Sequence, residues 1–164
     1  MRKWLHLPPR LPNSEALKTV PVAHADETGM RVAGSLHWLH VMVTTTLTWL
    51  GSHANRGKKA FDAFGILAVL AGTLVHDGWK PYRDLACVHA LCNAHHLREL
   101  TYVFEEMGQA WAQCLIDLLV EACHEVATAG GPLTEDRIAH YRIVYARILA
   151  DGDAAKVILM AENI

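Results

Sequence analysis

Two aspartates stand at the ends of apolar, β-branched runs. Asp26 closes VPVAHAD (Val20 to Asp26) and Asp77 closes TLVHD (Thr73 to Asp77). Carboxylates brought within a few ångströms repel, and one is driven toward protonation unless a cation neutralises the pair. Oxygen-rich sites of this kind suit Mg²⁺ or Mn²⁺, which keep several waters and take substrate phosphate oxygens as further ligands. Two such ions about 3.5–4 Å apart stabilise the attacking and leaving oxygens of a phosphoryl transfer. The two aspartates therefore point to metal-assisted phosphodiester chemistry if the fold sets them side by side. The competing reading is local, because Asp often precedes a turn glycine. Asp77-Gly78 fits it well and Asp26 less well.

Other residues carry weaker chemical signals. Cys87, His89, Cys92, His95 and His96 form a potential zinc set. Their spacing matches no usual structural-zinc pattern and no C-x-x-C pair occurs, so Cys92 is expected to pack as a small hydrophobe and His95 to orient or cap near the acids. His24 and His76 precede the two aspartates by two residues and one residue. Arg56, Lys58 and Lys59 make a compact basic patch, and Lys80, Tyr82 and Arg83 follow Asp77 closely enough to line a substrate groove. Such cations suit phosphate contacts, which position DNA without reading its sequence, although any solvated loop carries a few. Trp38, Trp49, Trp79 and Trp111 read as core or groove-wall residues rather than base-stacking platforms.

The elements that must position these groups follow from periodicity and punctuation. Residues 20–26 read as a buried strand, with Thr28-Gly29 as a turn signal. Arg31 to Val32 with Leu36 to Thr44, and then Thr45 to His53, complete a three-stranded antiparallel meander. Ala60 to Leu70 has a helical pattern weakened by Gly65 and closed by Ala71-Gly72. Short strands over 73–77 and 86–91 flank a turn or helix opened near Pro81. From Cys92 the pattern is helical: to Gly108, then to Gly130-Gly131 with Leu115, Leu118, Leu119, Ala122 and Val126 as an apolar stripe, then Pro132 to Ala150. The prolines at 8, 9 and 12 disfavour helix in residues 1–19, which read as a linker or truncated arm. The order β-β-β-α-β-α-β-α implies an α/β fold with a mixed five-stranded sheet. In it the first and fourth strands can be neighbours, which would bring Asp26 and Asp77 together.

Composition limits the alternatives. The chain has 164 residues, 52% of them apolar, which excludes a mostly disordered protein. No apolar run of about 18 residues indicates a membrane span. The basic N-terminus lacks the apolar core of a secretory signal. Four cysteines in a chain of this length suggest a reducing, cytoplasmic setting rather than a disulfide framework. The net charge of −2 conceals an asymmetry: residues 1–98 sum to +5 and residues 99–164 to −7. A basic N-terminal part permits a polyanionic partner.

Five blocks then occur in order: HADETGMRVAGSLHWLHV, NRGKKA, GTLVHDGWKPY, HALCNAHHLREL and QAWA. Together they resemble the transposase domain of the insertion-sequence-sixty-six family, a group of DDE transposases with an RNase H-like fold. The resemblance covers residues 20–130 and implies a catalytic domain there, followed by a C-terminal helical segment over 131–164. It implies that Asp26 and Asp77 are the first and second catalytic acids, and that Cys92-x-x-His95 matches a Cys-x-x-His signature following the second. It implies a third acid, a Glu on a later helix: Glu121 matches best, then Glu125, then Glu99. Asp117, Glu121 and Glu125 recur every four residues and share one helical face, a repulsion that a cation would relieve or that solvent simply screens. Arg56-Gly57 matches an Arg-Gly of the family.

The implied reaction is Mg²⁺- or Mn²⁺-dependent DNA strand cleavage and transfer, acting on insertion-element ends and target DNA. Its setting is cytoplasmic and nucleoid-associated, with homo-oligomeric assembly in a full-length parent and no membrane. The family's members are longer, so the chain reads as truncated. A catalytically inactive remnant acting as a DNA-binding or assembly module is the alternative, and an unrelated zinc hydrolase is the third.

Overall fold

The computed structural model describes the backbone of residues 12–162 and the side chains of residues 14–155. Its elements are α1 (Pro12–Leu17), β1 (Val22–Val32), β2 (Ser35–Val43), β3 (Thr48–His53), α2 (Lys58–Phe64), β4 (Thr73–His76), α3 (Lys80–Arg83), β5 (Val88–Leu91), α4 (Asn93–Glu105), α5 (Ala110–Ala129) and α6 (Glu135–Glu162). A single 3₁₀ turn spans Leu67–Val69. The chain divides into two compact units, Met1–Cys92 and Asn93–Ile164.

The first unit is built on a five-stranded sheet in the order β3-β2-β1-β4-β5. The β1–β2 and β2–β3 pairs are antiparallel; β4 is parallel to β1, and β5 to β4. This is the expected mixed five-stranded sheet of an α/β fold. The parallel pairs need crossovers, which α2 with the 3₁₀ turn and α3 supply.

Three local expectations change. β1 does not turn at Thr28-Gly29; it runs on to Val32, and the hairpin closes at Ala33-Gly34, both at positive φ (49° and 84°). Two such residues make the tight turn whose twist suits a hairpin. Asp26 is therefore within β1 rather than at its end. α2 stops at Phe64, because Gly65 adopts the left-handed conformation (φ 64°) and donates its N–H to the Phe61 carbonyl. Residues 12–17 form a helix despite Pro12, which sits at the first position, where a missing N–H costs nothing. Leu17 is fully buried in the sheet unit's core. Residues 1–11 of the expected arm lie outside the described residues.

That core lies on one face of the sheet. Ala23 and Ala25 of β1, Met42 of β2, Trp49 of β3 and Leu74 of β4 pack with Phe61, Ile66 and Tyr82. Glycine is required at one joint: a Cβ at Gly72 would lie 2.1 Å from the Val20 carbonyl oxygen.

The second unit packs α4 on α5 and α5 on α6. Leu115 and Leu118 of the predicted stripe are buried against Ile148, with Trp111, Tyr141 and Val144 around them. α6 continues to Glu162, twelve residues past the end its sequence pattern suggested. Gly152 keeps that helix in contact with the Trp111 indole, which a Cβ there would meet at 2.9 Å.

Candidate active site

β1 and β4 pair in parallel through Val22↔Thr73, Ala23↔Leu74 and His24↔Val75. Continued by two residues, that register would set Asp26 opposite Asp77, which follows β4 and lies outside the ladder. Side chains alternate along a strand. Ala23, Ala25, Leu74 and His76 take the buried side, so Asp26 takes the opposite face, as Asp77 would if the alternation ran on past β4. Adjacent strands lie about 4.8 Å apart, so carboxylates on neighbouring rungs would be near enough to approach a common cation. Asp26 is exposed and Asp77 half-buried.

Each aspartate is oriented by one backbone amide. The Glu27 N–H donates to Asp26 Oδ1 (2.8 Å), and the Trp79 N–H donates to Asp77 Oδ1 (2.8 Å). The second bond is the Asx turn that a local reading of Asp77-Gly78 anticipates. Gly78 adopts φ 88°, a conformation that favours glycine. His76, 1% exposed, supports the same turn: its Nδ1 accepts the Gly78 N–H (2.9 Å). Its Nε2 is then the protonated nitrogen and donates to His89 Nδ1 (3.1 Å), leaving His89 Nε2 to donate to the Leu85 carbonyl (3.1 Å). Burial, followed by the neighbouring His89, pushes the His76 pKa down, which favours the neutral ring that accepts from Gly78.

Glu27 is the residue sequence reasoning missed. It follows Asp26 and therefore projects to the other face, where its side chain is fully buried. Its Oε1 accepts from Arg56 Nε at 2.6 Å, and its Oε2 accepts a short hydrogen bond from the Tyr82 hydroxyl. The Arg56 guanidinium also lies over the indoles of Trp79 (3.8 Å) and Trp38 (4.8 Å). Tyr82 is buried, stacked on Phe61 at 5.0 Å. Burial raises its pKa, and Glu27, Asp26 and Asp77 raise it further. The available signal was strand parity. Glu27 shares the odd positions of Ala23 and Ala25, so it had to face the core and needed a cation there.

The remaining predicted residues separate into groups. Arg56, expected at phosphate, is engaged inside the protein as described, and Tyr82, expected along a substrate groove, is buried against Phe61 and Glu27 instead. Lys58 and Lys80 are exposed and make only i,i+4 pairs, with Asp62 (3.4 Å) and Asp84 (2.8 Å). Lys59 is exposed. Arg83 Nη2 lies 3.0 Å from where a Cβ on Gly78 would be, next to Asp77. Cys92 closes the sheet unit by donating its N–H to the His76 carbonyl (2.9 Å). His95 lies in the first turn of α4, its Nδ1 buried without a hydrogen-bond partner among the described residues.

Glu99, Glu121 and Glu125 all belong to the helical unit. Glu125 is held by Arg137 through two contacts (2.7 and 2.5 Å) and by the Tyr141 hydroxyl (2.6 Å). The Arg137 and then the Tyr141 hydrogen bonds pull its pKa down to about 2. Glu121 is looser, 3.4 Å from the Tyr141 hydroxyl and 3.8 Å from Arg137, with most of its side chain exposed.

As a donor set, two aspartates on one sheet face suit a hard divalent ion that keeps most of its water. Among the described residues no three His, Cys, Asp or Glu side chains form a metal-holding group. Both nitrogens of His89 are committed to protein partners, which argues against the zinc reading. Among the described residues no helix is long and apolar enough to cross a membrane.

Comparison with known proteins bears on this arrangement. The model of the family described as Transposase IS66 family matches residues 12–159. No curated protein matches the chain significantly. Among solved structures, a chain of the simian T-cell lymphotropic virus intasome in complex with PP2A regulatory subunit B56 gamma is 16% identical, with a TM-score of 0.33. That match covers 52% of this chain and 41% of the matched chain.

Proposed function

The chain belongs to the IS66 transposase family, and from that premise we propose that its sheet unit carries the catalytic acids of a metal-dependent DNA strand cleavage and transfer. The observation that carries this reading is the β1–β4 register, which supports Asp26 and Asp77 as neighbours on one open face. Asp26 and Asp77 would hold Mg²⁺ or Mn²⁺, and Glu121 is the residue that the family resemblance offers as a third acid. When bound, the ion supplies Lewis-acid stabilisation of phosphate charge and a more acidic nucleophile.

The chain's own residues do the rest. The Asx turn at Asp77 leaves Oδ2 free, and the amide on Asp26 Oδ1 leaves its Oδ2 free likewise. Lys58, Lys59, Lys80 and Arg83 would meet phosphates of element ends or target DNA. The exposed pairs of Lys58 and Lys80 are worth little, so a phosphate can replace either carboxylate. Cytoplasmic, nucleoid-associated action and oligomeric assembly on DNA belong to the same proposal.

The second reading, a DNA-binding or assembly module without catalysis, is favoured by the ties of Glu121 to Tyr141 and Arg137. A plasmid-nicking assay with Mg²⁺ or Mn²⁺ separates the two. The catalytic reading expects nicking that disappears in Asp26→Asn and in Asp77→Asn, each folded by circular dichroism. DNA binding without nicking, unchanged by those substitutions, would establish the module instead.

A further inference from the structure

The β1–β4 ladder does not itself hold the two aspartates, because its last paired rung is His24↔Val75 and both acids lie beyond it. Asp77 sits in the connection between β4 and α3. What ties that connection to β1 is on the other side of the sheet. From Asp77, Oδ1 takes the Trp79 N–H, and the Trp79 indole lies 3.8 Å from the Arg56 guanidinium. Arg56 donates to Glu27, the residue next to Asp26. A second route leaves the Trp79 carbonyl, which accepts the Tyr82 N–H (3.0 Å), and returns through the Tyr82 hydroxyl to the other oxygen of Glu27. The two routes make a closed ring with one aspartate at each end.

We infer that Glu27, Arg56 and Tyr82 are positioning residues, whose ring of contacts sets the separation of the Asp26 and Asp77 carboxylates and so their grip on a divalent ion. The inference rests on the proposed metal-binding role of the two aspartates. Glu27 is not a ligand, since its carboxylate is fully buried on the core face and both oxygens are occupied. The ring is rigid for physical reasons. A guanidinium between two indoles loses orientational freedom, and a carboxylate with two charge-assisted partners holds one rotamer. Tyr82 is further fixed by packing on Phe61 and His76, at 5.0 and 5.2 Å.

The test is Mn²⁺ binding to the 164-residue chain, read from the free-ion electron paramagnetic resonance signal, with thermal melts run in parallel. Tyr82→Phe keeps the stacked ring and removes only the hydroxyl. It is expected to raise the half-saturating Mn²⁺ concentration about tenfold or more, the usual range for groups that orient metal ligands, while the protein remains folded. Glu27→Gln should do the same. Arg56→Lys, which keeps the charge but not the planar stack, should fall between them and wild type. If these variants melt lower yet bind Mn²⁺ as wild type does, the ring is structural only and the inference is overturned. If wild-type binding is itself indifferent to Asp26→Asn, the metal-site reading fails, and the inference fails with it.

Discussion

Arg56 offers the sharpest test of how these residues work, because sequence and structure assign it different tasks. In the sequence it belongs to a basic patch expected at DNA phosphate; in the fold it neutralises a buried carboxylate. Arg56→Met keeps a comparable apolar stem and removes the charge. Breaking a buried ion pair by removing one partner costs about 3–5 kcal/mol. The Glu27 side chain is 0% exposed but Arg56 is 34% exposed. Water can therefore reach part of the vacated space, and the lower end, about 3 kcal/mol, is expected. The lost indole contacts add roughly 0.5–1 kcal/mol at this exposure, partly recovered by methionine packing on the same rings. For a protein of this size the melting temperature should fall by roughly 6–12 °C. Urea denaturation followed by circular dichroism measures the same loss without reference to DNA. The double variant Glu27→Gln/Arg56→Met should be more stable than the sum of the single losses implies, because it leaves no uncompensated charge. Lys80→Met is the control: its pair with Asp84 is exposed, and its loss should stay within about 0.5 kcal/mol. An Arg56→Met protein that denatures like the Lys80→Met control and is weakened only in DNA binding would refute the assignment.

Two further outcomes follow from the geometry. Glu125, held at about 2 by Arg137 and Tyr141 against an ordinary 4.5, has a depressed folded-state pKa. Its contribution is complete above 4.5 and disappears as pH falls toward 2; Glu125→Gln should remove that part of the acid-unfolding profile, measured by fluorescence of Trp111 in the same unit. Gly72→Ala would set a Cβ 2.1 Å from the Val20 oxygen and 2.6 Å from the Pro21 oxygen. Backbone cannot yield there as a side chain could, so a loss of about 2 kcal/mol or more is expected in urea denaturation.

Much of the architecture was legible in the sequence. Apolar, β-branched and aromatic runs marked the five strands, and helical spacing of Leu115 and Leu118 marked the buried face of α5. The element order implied that the first and fourth strands could adjoin. These are local or short-range properties, written in each segment's own periodicity. The ends of elements were less legible. Thr28-Gly29 has turn chemistry, yet β1 continues through it, because pairing with β2 all the way to Val32↔Ser35 outweighs a local preference. Gly65 ends α2 where the apolar pattern continues, since a left-handed cap satisfies the Phe61 carbonyl at once.

The residues determined by themselves that two aspartates follow apolar runs and that cations lie near them. Only the tertiary structure decided which of Asp26 and Glu27 faces outward, and what Arg56 is for. The partners that settle both are remote: Arg56 is 29 residues from Glu27 and Tyr82 is 55. A carboxylate's neighbours, and hence whether it is a free ligand or a buried counter-ion, depend on which strands pair. Strand pairing is a property of the whole sheet, and no single segment contains it.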